Sequence, residues 1–356
     1  MGYEIFAKSA PGPKYKDKGW DCQDFASKHE TEGLQILVVA DGHGSSDCFR
    51  SHAGAQNAVR AATEQAYEHC NPLAIGNEAL VFNETGIANL KHSIWDTWKK
   101  LAKQDWDNRL LTGGKLGDGE LRYKSVSEKY RERYNSQDES VKERYLYNAY
   151  GTTMLAAIST EKQLLLLQIG DGTCVVLQRD GEFRTPVPVD DANFLNVTTS
   201  LCEGDAHKKI RHAVIDRDEI ESPTYPAAVF LSSDGVDDCF PVHRNEEHLY
   251  GLYANIVESA ICNGIDATFE ELERDTLPGL TKSGSQDDIS LAVFLHGDLS
   301  VLKGAFDNID EAYKRKLEPP EKAEPKAVPA AADAETAKTA DGDDNESGDQ
   351  AGPVEF

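Results

Sequence analysis

The feature that most constrains this sequence is the placement of aspartates at the ends of short apolar runs. They are Asp41 after LQILVVA, Asp171 after LLLLQIG, Asp234 after AVFLSS, and Asp287 with Asp288 before ISLAVFL. Apolar runs that stop at a short polar turn are typical of buried strands. If the strand ends converge, these carboxylates share one cleft.

The remaining periodicity predicts an α+β fold of antiparallel sheets flanked by helices, because strands follow one another in hairpins while the long helices stand apart. The predicted strands are 34–40, 152–158, 163–169, 173–179, 227–232 and 289–295, with a hairpin turn at 180–181. The predicted helices are 51–70, one containing Ile94, Trp98 and Leu101, then 246–262, 269–277 and 299–316. Asp24, in the segment WDCQD, is placed before the first strand.

Composition divides the chain of 356 residues into a domain and a tail. One set of chemical motifs predicts a single catalytic domain, 1–316, with a helical insertion at about 71–149. Its Trp95, Trp98 and Trp106 are interpreted as packing residues; the alternative is a lid or docking surface. Residues 317–356 are acidic and rich in Pro and Ala, which predicts disorder.

Charge and hydropathy exclude several classes of protein. A net charge of −25 disfavours nucleic acid or anionic lipid as a partner. No run approaches the roughly 20 apolar residues of a membrane span, and residues 1–12 lack the apolar region of a signal peptide. Seven scattered cysteines without C-x-x-C spacing favour reduced thiols. We therefore expect a cytoplasmic protein.

Clustered carboxylates have a definite chemical meaning. Like charges raise one another's pKa, so several carboxylates stay ionised side by side only with cations between them. Oxygen-rich clusters select hard cations such as Mg²⁺ or Mn²⁺. Each Asp-Gly pair is, taken alone, more often a turn than a ligand. The order and spacing of the whole set favour the metal site.

This set of motifs resembles the metal-dependent protein phosphatase family, also called the protein phosphatase 2C family. Its blocks are Cys22-Gln23-Asp24, the segment VVADGHG at 38–44, Gly151-Thr152-Thr153 with IGDG at 169–172, LSSDG at 231–235 and GSQDDIS at 284–290. They occur in the family's order over roughly residues 1–297. The CQD block and residues 190–201, DDANFLNVTTSL, are similar to the bacterial branch.

The resemblance implies a four-layer α-β-β-α sandwich with two central antiparallel sheets and two Mn²⁺ or Mg²⁺ ions at one end. Asp41 would bridge both ions, and Gly42 would contribute its carbonyl, with Asp24 on the same side. Asp234 and Asp287 would hold the other ion. Asp171 would help to bind a third, weaker metal. Position 288 is often Asn in the family, so Asp287 is the preferred ligand.

The same resemblance implies hydrolysis of phosphoserine and phosphothreonine in proteins, with a serine/threonine kinase and its targets as partners. Two close cations lower the pKa of a bridging water, which would attack phosphorus in line. His43 would protonate the leaving oxygen. Its alternative role is that of a structural turn histidine.

One position departs from the family pattern. Many members place a phosphate-binding arginine five residues before the first-block aspartate, where this chain has Gly19. Lys18 beside it, or Arg50, are candidate substitutes. A catalytically weak member acting as a regulatory protein-binding module is therefore the alternative function. Hydrolysis of a small phosphate ester at the same site is a third.

Overall fold

The computed structural model describes residues 2–71, 82–111, 126–134, 136, 138–190, 198–311 and 313–314. The chain divides into two units, Met1–Pro320 and Glu321–Phe356. The second unit lies outside the described residues, as do the family-like segment at 191–197 and the tail from residue 317. The domain boundary at 316 and the disorder of the tail therefore stay predictions.

In the part of the chain that the structure describes, ten strands form two antiparallel sheets of five strands each. In chain order they are β1 Tyr3–Ala10, β2 Asp24–Thr31, β3 Leu34–Asp41, β4 Met154–Thr160, β5 Gln163–Ile169, β6 Thr173–Gln178, β7 Phe183–Arg184, β8 Arg211–Asp216, β9 Pro226–Ser232 and β10 Ile289–His296. One sheet has the order β1-β10-β9-β6-β7, and the other has the order β2-β3-β4-β5-β8.

The helices lie between the strands in sequence. They are α1 Pro13–Lys16, α2 Ser51–Cys70, α3 Glu84–Leu111, α4 Glu128–Tyr134, α5 Glu139–Ala149, α6 Ala206–Lys209, α7 Asp234–Asp237, α8 Asn245–Asn263, α9 Ile265–Glu271, α10 Leu277–Ser283 and α11 Leu299–Asn308. A 3₁₀ turn spans Val242–Arg244, and a π-helical turn, Leu272–Thr276, joins α9 to α10.

Side-chain alternation along the central strands produces the layers. In β3, Leu37 and Val39 pack between the two sheets, whereas Ile36 and Val38 face the helical layer of α2 and α3. The strand is thus buried on both faces, as its uninterrupted apolar sequence predicts. On the other sheet, the outer face packs against α8 and α11. The predicted α-β-β-α sandwich is confirmed.

Four strands were missing from the predicted strands: β1, β2, β7 and β8, of which only β7 was implied, by the hairpin turn at 180–181. All four are edge strands; β1, β2 and β8 have mixed polar sequences and β7 has only two residues, so no long apolar run marks them. Asp24 is accordingly the first residue of β2 and follows β1, rather than preceding the first strand.

Two helix predictions had wrong bounds. The helix predicted at 299–316 ends at Asn308, because Ile309 adopts an extended backbone with ψ 141°. The helix predicted at 269–277 belongs to a longer helical run formed by α9, the π-helical turn and α10.

The described part of the insertion packs on the body of the domain. Trp98 is fully buried, and its indole N–H donates to the Gly54 carbonyl in α2 at 3.0 Å. The indole of Trp95 donates to the Leu201 carbonyl at 3.1 Å. Both side chains therefore fix α3 against the domain. Among the described residues, no helix is long and apolar enough to cross a membrane.

Candidate active site

The predicted aspartates come together at one end of the sandwich. Asp24 and Asp41 are paired across β2 and β3, where β2 begins and β3 ends. Asp234 follows β9, and Asp287 lies just before β10. Asp171 lies in the turn between β5 and β6. Antiparallel strands from both sheets thus place their terminal aspartates at the same end, as predicted.

These carboxylates line a cleft of about 160 Å³. Its walls are formed by Tyr15, Gln23, Asp24, Asp41, Gly42, His43, Gly44, Asp171, Thr198, Asp234, Asp287 and Asp288. No lysine or arginine is among these described lining residues. The cleft therefore concentrates negative charge, and the Lys14 ammonium, which contacts Asp287, lies just outside its lining.

The centre of the cleft holds three neighbouring carboxyl groups, those of Asp24, Asp41 and Asp234. Burial raises the pKa of Asp24 to about 7, although a hydrogen bond from the Ser233 hydroxyl at 2.6 Å acts in the opposite direction. Burial, and then the charges of Asp24 and Asp234, raise the pKa of Asp41 well above its ordinary value. Burial likewise raises the pKa of Asp234. Ionising all three needs added positive charge.

Asp287 and Asp288 have different roles. Asp288 is 4% exposed, and its two oxygens accept the backbone N–H groups of Gly12 and Gln23, each at 2.7 Å. It thereby ties the N-terminal segment to the cleft. One oxygen of Asp287 accepts from the Asp288 N–H at 2.9 Å, and the other from the Lys14 ammonium at 3.0 Å. The Asp287 carboxylate is thus the more accessible one, which supports its choice as the ligand.

The turn after β3 positions Gly42 and His43. A Cβ atom on Gly42 would lie 2.7 Å from the Ser51 carbonyl carbon and 2.8 Å from the Gln23 carbonyl oxygen, so only glycine fits. The His43 N–H donates to the Gly151 carbonyl at 3.1 Å. Burial lowers the pKa of His43, and the charge of Asp171 opposes that shift.

The other predicted positions differ in their surroundings. Asp171 is exposed at the cleft and accepts from the Thr198 hydroxyl at 2.5 Å. Lys18 lies outside the cleft lining, with its ammonium 4.6 Å from the Trp20 ring centroid, and its role in phosphate binding stays a prediction. Arg50 is fully buried and ion-paired with Asp105 at 2.6 Å, so its guanidinium is not available to substrate.

The chemistry of the donor set fits divalent cations. Hard oxygen ligands line the cleft. The raised pKa values of its central carboxyls indicate that no lining cation balances their negative charge. Among the described residues, no three His, Cys, Asp or Glu side chains stand ready around a single point. The fit therefore rests on the oxygen chemistry of the lining residues and on the proximity of Asp24, Asp41 and Asp234.

Sequence reasoning missed three residues of this region. Ser233 accepts from the Ser290 N–H at 2.9 Å while it donates to Asp24, so it links β9, β10 and β2. Tyr15 lines the cleft from α1, and Lys14 contacts Asp287. Ser233 lies inside the LSSDG motif and could have been found there. Only the folded loops bring α1 to the cleft.

The match to a known family agrees with this arrangement of strands and aspartates. The sequence model of the family described as Protein phosphatase 2C matches residues 12–269. This match spans more than half of the chain, so the chain belongs to the protein phosphatase 2C family.

Several solved structures are similar to this one. The Mycobacterium tuberculosis serine/threonine phosphatase PstP/Ppp is 15% identical, with a TM-score of 0.45 over 83% of this chain and 100% of that chain. The PstP catalytic domain in complex with two manganese ions is 16% identical, with a TM-score of 0.45 over 82% and 97%. PppA, a key regulatory component of T6SS in Pseudomonas aeruginosa, is 16% identical, with a TM-score of 0.46 over 83% and 98%. A search of curated proteins found no match.

Proposed function

We propose that this protein hydrolyses phosphoserine and phosphothreonine in other proteins and that the reaction depends on two Mn²⁺ or Mg²⁺ ions. The observation that carries the proposal is the group of central carboxyls whose pKa values are raised by burial and by one another. Such a group is costly to ionise without cations, and its oxygen ligands suit hard divalent ions. Membership of the protein phosphatase 2C family supports the same reaction class.

The position of each carboxylate suggests its share in metal binding. Asp41 lies between Asp24 and Asp234 and interacts with both, which suits a residue that bridges two ions. Asp24 and the Gly42 carbonyl would complete one site, and Asp234 with Asp287 the other. Asp171, exposed beside Thr198, would serve a third and weaker ion.

Bound in this cleft, the ions would lower the pKa of a water molecule and offset charge on the phosphoryl oxygens. The chain itself supplies the proton for the leaving group. His43 lines the cleft one residue beyond Gly42, and its lowered pKa makes its protonated form a stronger acid. The charges of Asp171 and Glu203 oppose the effect of burial and so preserve part of that protonated form.

The size of the cleft favours a phosphorylated side chain over a larger phosphate ester. Its volume of about 160 Å³ is smaller than the roughly 300–1,000 Å³ of sites that enclose a drug-sized ligand. A phosphoserine or phosphothreonine side chain needs only the phosphate and a short stem to enter. Targets of a serine/threonine kinase are therefore the expected substrates.

Phosphate release from phosphothreonine and phosphoserine peptides, with Mn²⁺ or with EDTA, tests the proposal. We expect release that depends on the metal and disappears in Asp234→Asn. The matched control is Asp180→Asn, the same change at an Asp-Gly turn outside the cleft lining, where the side chain accepts the Glu182 N–H. Faster turnover of nucleotides than of phosphopeptides would favour the small-ester alternative. Folded, metal-loaded protein that releases no phosphate would favour the binding-module alternative.

A further inference from the structure

The N-terminal segment forms a fixed edge of the cleft. The Lys14 N–H donates to the Gln286 carbonyl at 3.2 Å, and the Gly12 N–H donates to Asp288 at 2.7 Å. A Cβ atom on Gly12 would lie 2.3 Å from the Asp287 carbonyl carbon, so α1 is set directly against the loop that carries Asp287. Gln286 in that loop has a φ of 60°, a strained value for a residue other than glycine. The position of Lys14 is therefore well determined by backbone contacts.

The Lys14 ammonium is paired with a proposed metal ligand. It donates to Asp287 at 3.0 Å, and the two side chains are 49% and 32% exposed. An ion pair this exposed contributes little to folding stability. Backbone hydrogen bonds already hold α1 in place, so the pair is not needed to anchor the segment. Its position at the mouth of an acidic cleft calls for another explanation.

We propose that Lys14 binds the phosphate group of the substrate, in place of the family's arginine that this chain lacks at Gly19. The inference rests on the proposed function. If Asp287 held a metal ion, its carboxylate would be shared with that ion, and the Lys14 ammonium would be freed to bind another anion. A phosphoryl group bound in the cleft would then offer a negative charge to the ammonium, besides that of Asp238, with which Lys14 also interacts. The ammonium acts as a point charge rather than a bidentate fork.

The surroundings of Lys18 make it a weaker candidate. Its ammonium lies over the rings of Trp20 and Tyr15, at 4.6 Å and 5.6 Å from their centroids. Lys14 makes a similar cation–π contact with the Tyr15 ring, at 5.0 Å from its centroid, but its ammonium also reaches the Asp287 carboxylate at 3.0 Å. Tyr15 itself is buried and lines the cleft, stacked on Trp20 at 5.8 Å. Of the two lysines, Lys14 is therefore the one whose ammonium is known to contact a carboxylate that lines the cleft.

Substitution of Lys14 is expected to change the affinities for phosphate and for Mn²⁺ in opposite directions. Removing the Lys14 charge weakens phosphate binding, because a charge-assisted contact is lost. The same change strengthens Mn²⁺ binding, because Asp287 is freed and a neighbouring positive charge is removed. A residue that only held the cleft in shape would weaken both.

Isothermal titration calorimetry on the full chain measures both effects without turnover. The probes are Mn²⁺ alone and, on Mn²⁺-loaded protein, a peptide carrying a non-hydrolysable phosphonate analogue of phosphoserine. For Lys14→Gln we expect about tenfold weaker peptide binding and about two- to fivefold tighter Mn²⁺ binding. Lys14→Arg restores peptide binding. Lys16→Gln, an exposed lysine on the same helix, leaves both affinities unchanged.

Three results from the variants would overturn the proposal: unchanged peptide binding in Lys14→Gln, weaker binding of both ligands in Lys14→Gln, or a loss of peptide binding in Lys18→Gln instead. Wild-type protein that binds Mn²⁺ but not the peptide would overturn it too. If both ligands bind with the expected dependence on Lys14 but phosphopeptides are not hydrolysed, the proposed function fails and the assignment of Lys14 stands.

Discussion

Two clusters of charged side chains lie close to the start of α2 and differ in whether an opposite charge balances them. At Arg50, the guanidinium is fully buried but is paired with Asp105, which also accepts from the Tyr150 hydroxyl at 2.5 Å. At Asp41, the neighbours are Asp24 and Asp234, which carry the same charge. The first cluster joins α2 to α3 and pairs its buried cation with an anion. None of the described residues that line the second is a lysine or arginine, and this difference separates a structural ion pair from a site for an added ion.

The largest expected difference between the clusters is in activity. Asp41→Asn removes the carboxylate proposed to bridge both ions. Loss of a single hydrogen-bond donor in an active site already lowers kcat by about 10²–10³-fold, so a larger loss is expected here. We therefore expect phosphopeptide hydrolysis to fall by at least about 10³-fold, measured as kcat/KM at saturating Mn²⁺. The comparison breaks if a folded Asp41→Asn variant keeps its activity.

The next largest effect is expected at the Arg50–Asp105 pair, in the free energy of unfolding. Asp105→Asn leaves the Arg50 charge buried without its anion, and we expect a loss of about 3 kcal/mol in the free energy of unfolding. The lower end of the usual range applies because the Asp105 side chain is 29% exposed. Urea denaturation measures this loss. Combining Arg50→Met with Asp105→Leu should recover much of it, and a double variant as unstable as the single one would show that the pair is not the cause.

The acidic cluster also predicts an unusual pH dependence for the metal-free protein. The folded pKa of Asp24 is about 7 and that of Asp41 is raised, so the folded state binds protons more tightly than the unfolded chain. The stability that these protonated carboxyls contribute is therefore fully present below the unfolded pKa of about 4 and is lost as pH rises through about 7. In EDTA we expect the Tm to fall by several degrees from pH 5.5 to 8.5. With Mn²⁺ this fall should vanish, and a flat profile in EDTA would contradict the account.

The smallest effect is expected at Ser233 and tests whether this residue belongs to the metal site. Ser233→Ala removes the hydrogen bond that orients Asp24 and the acceptor of the Ser290 N–H. We expect about tenfold weaker Mn²⁺ affinity, the usual cost of losing a group that orients a ligand. Calorimetric titration with Mn²⁺ measures it. An unchanged affinity would show that Asp24 is held without Ser233.

The central strands could be predicted from the sequence, and the edge strands could not. β3 was predicted to within one residue, and β5 and α2 at their observed bounds, because burial on both faces or a regular helical repeat leaves a continuous pattern. The edge strand β2, DFASKHET, is half exposed and owes its structure to hydrogen bonds with β3. Such pairing depends on residues distant in sequence, so the local pattern does not reveal it.

The site shows the same division. The aspartates could be found because each lies at the end of a recognisable strand or within a family motif. Lys14 could not, because nothing in the sequence indicates that α1 packs on the loop around Gln286. The buried role of Asp288 likewise depends on the N–H groups of Gly12 and Gln23, which are far away along the chain.

The central claim is that the cluster around Asp41 destabilises the fold until cations bind it. Thermal unfolding of wild type and Asp41→Asn, each in EDTA and in Mn²⁺, tests this most directly. We predict that Asp41→Asn is the more stable protein in EDTA, because one uncompensated charge is gone, and that Mn²⁺ raises the Tm of wild type far more than that of the variant. A wild type that is more stable than Asp41→Asn in EDTA and gains nothing from Mn²⁺ would contradict the account.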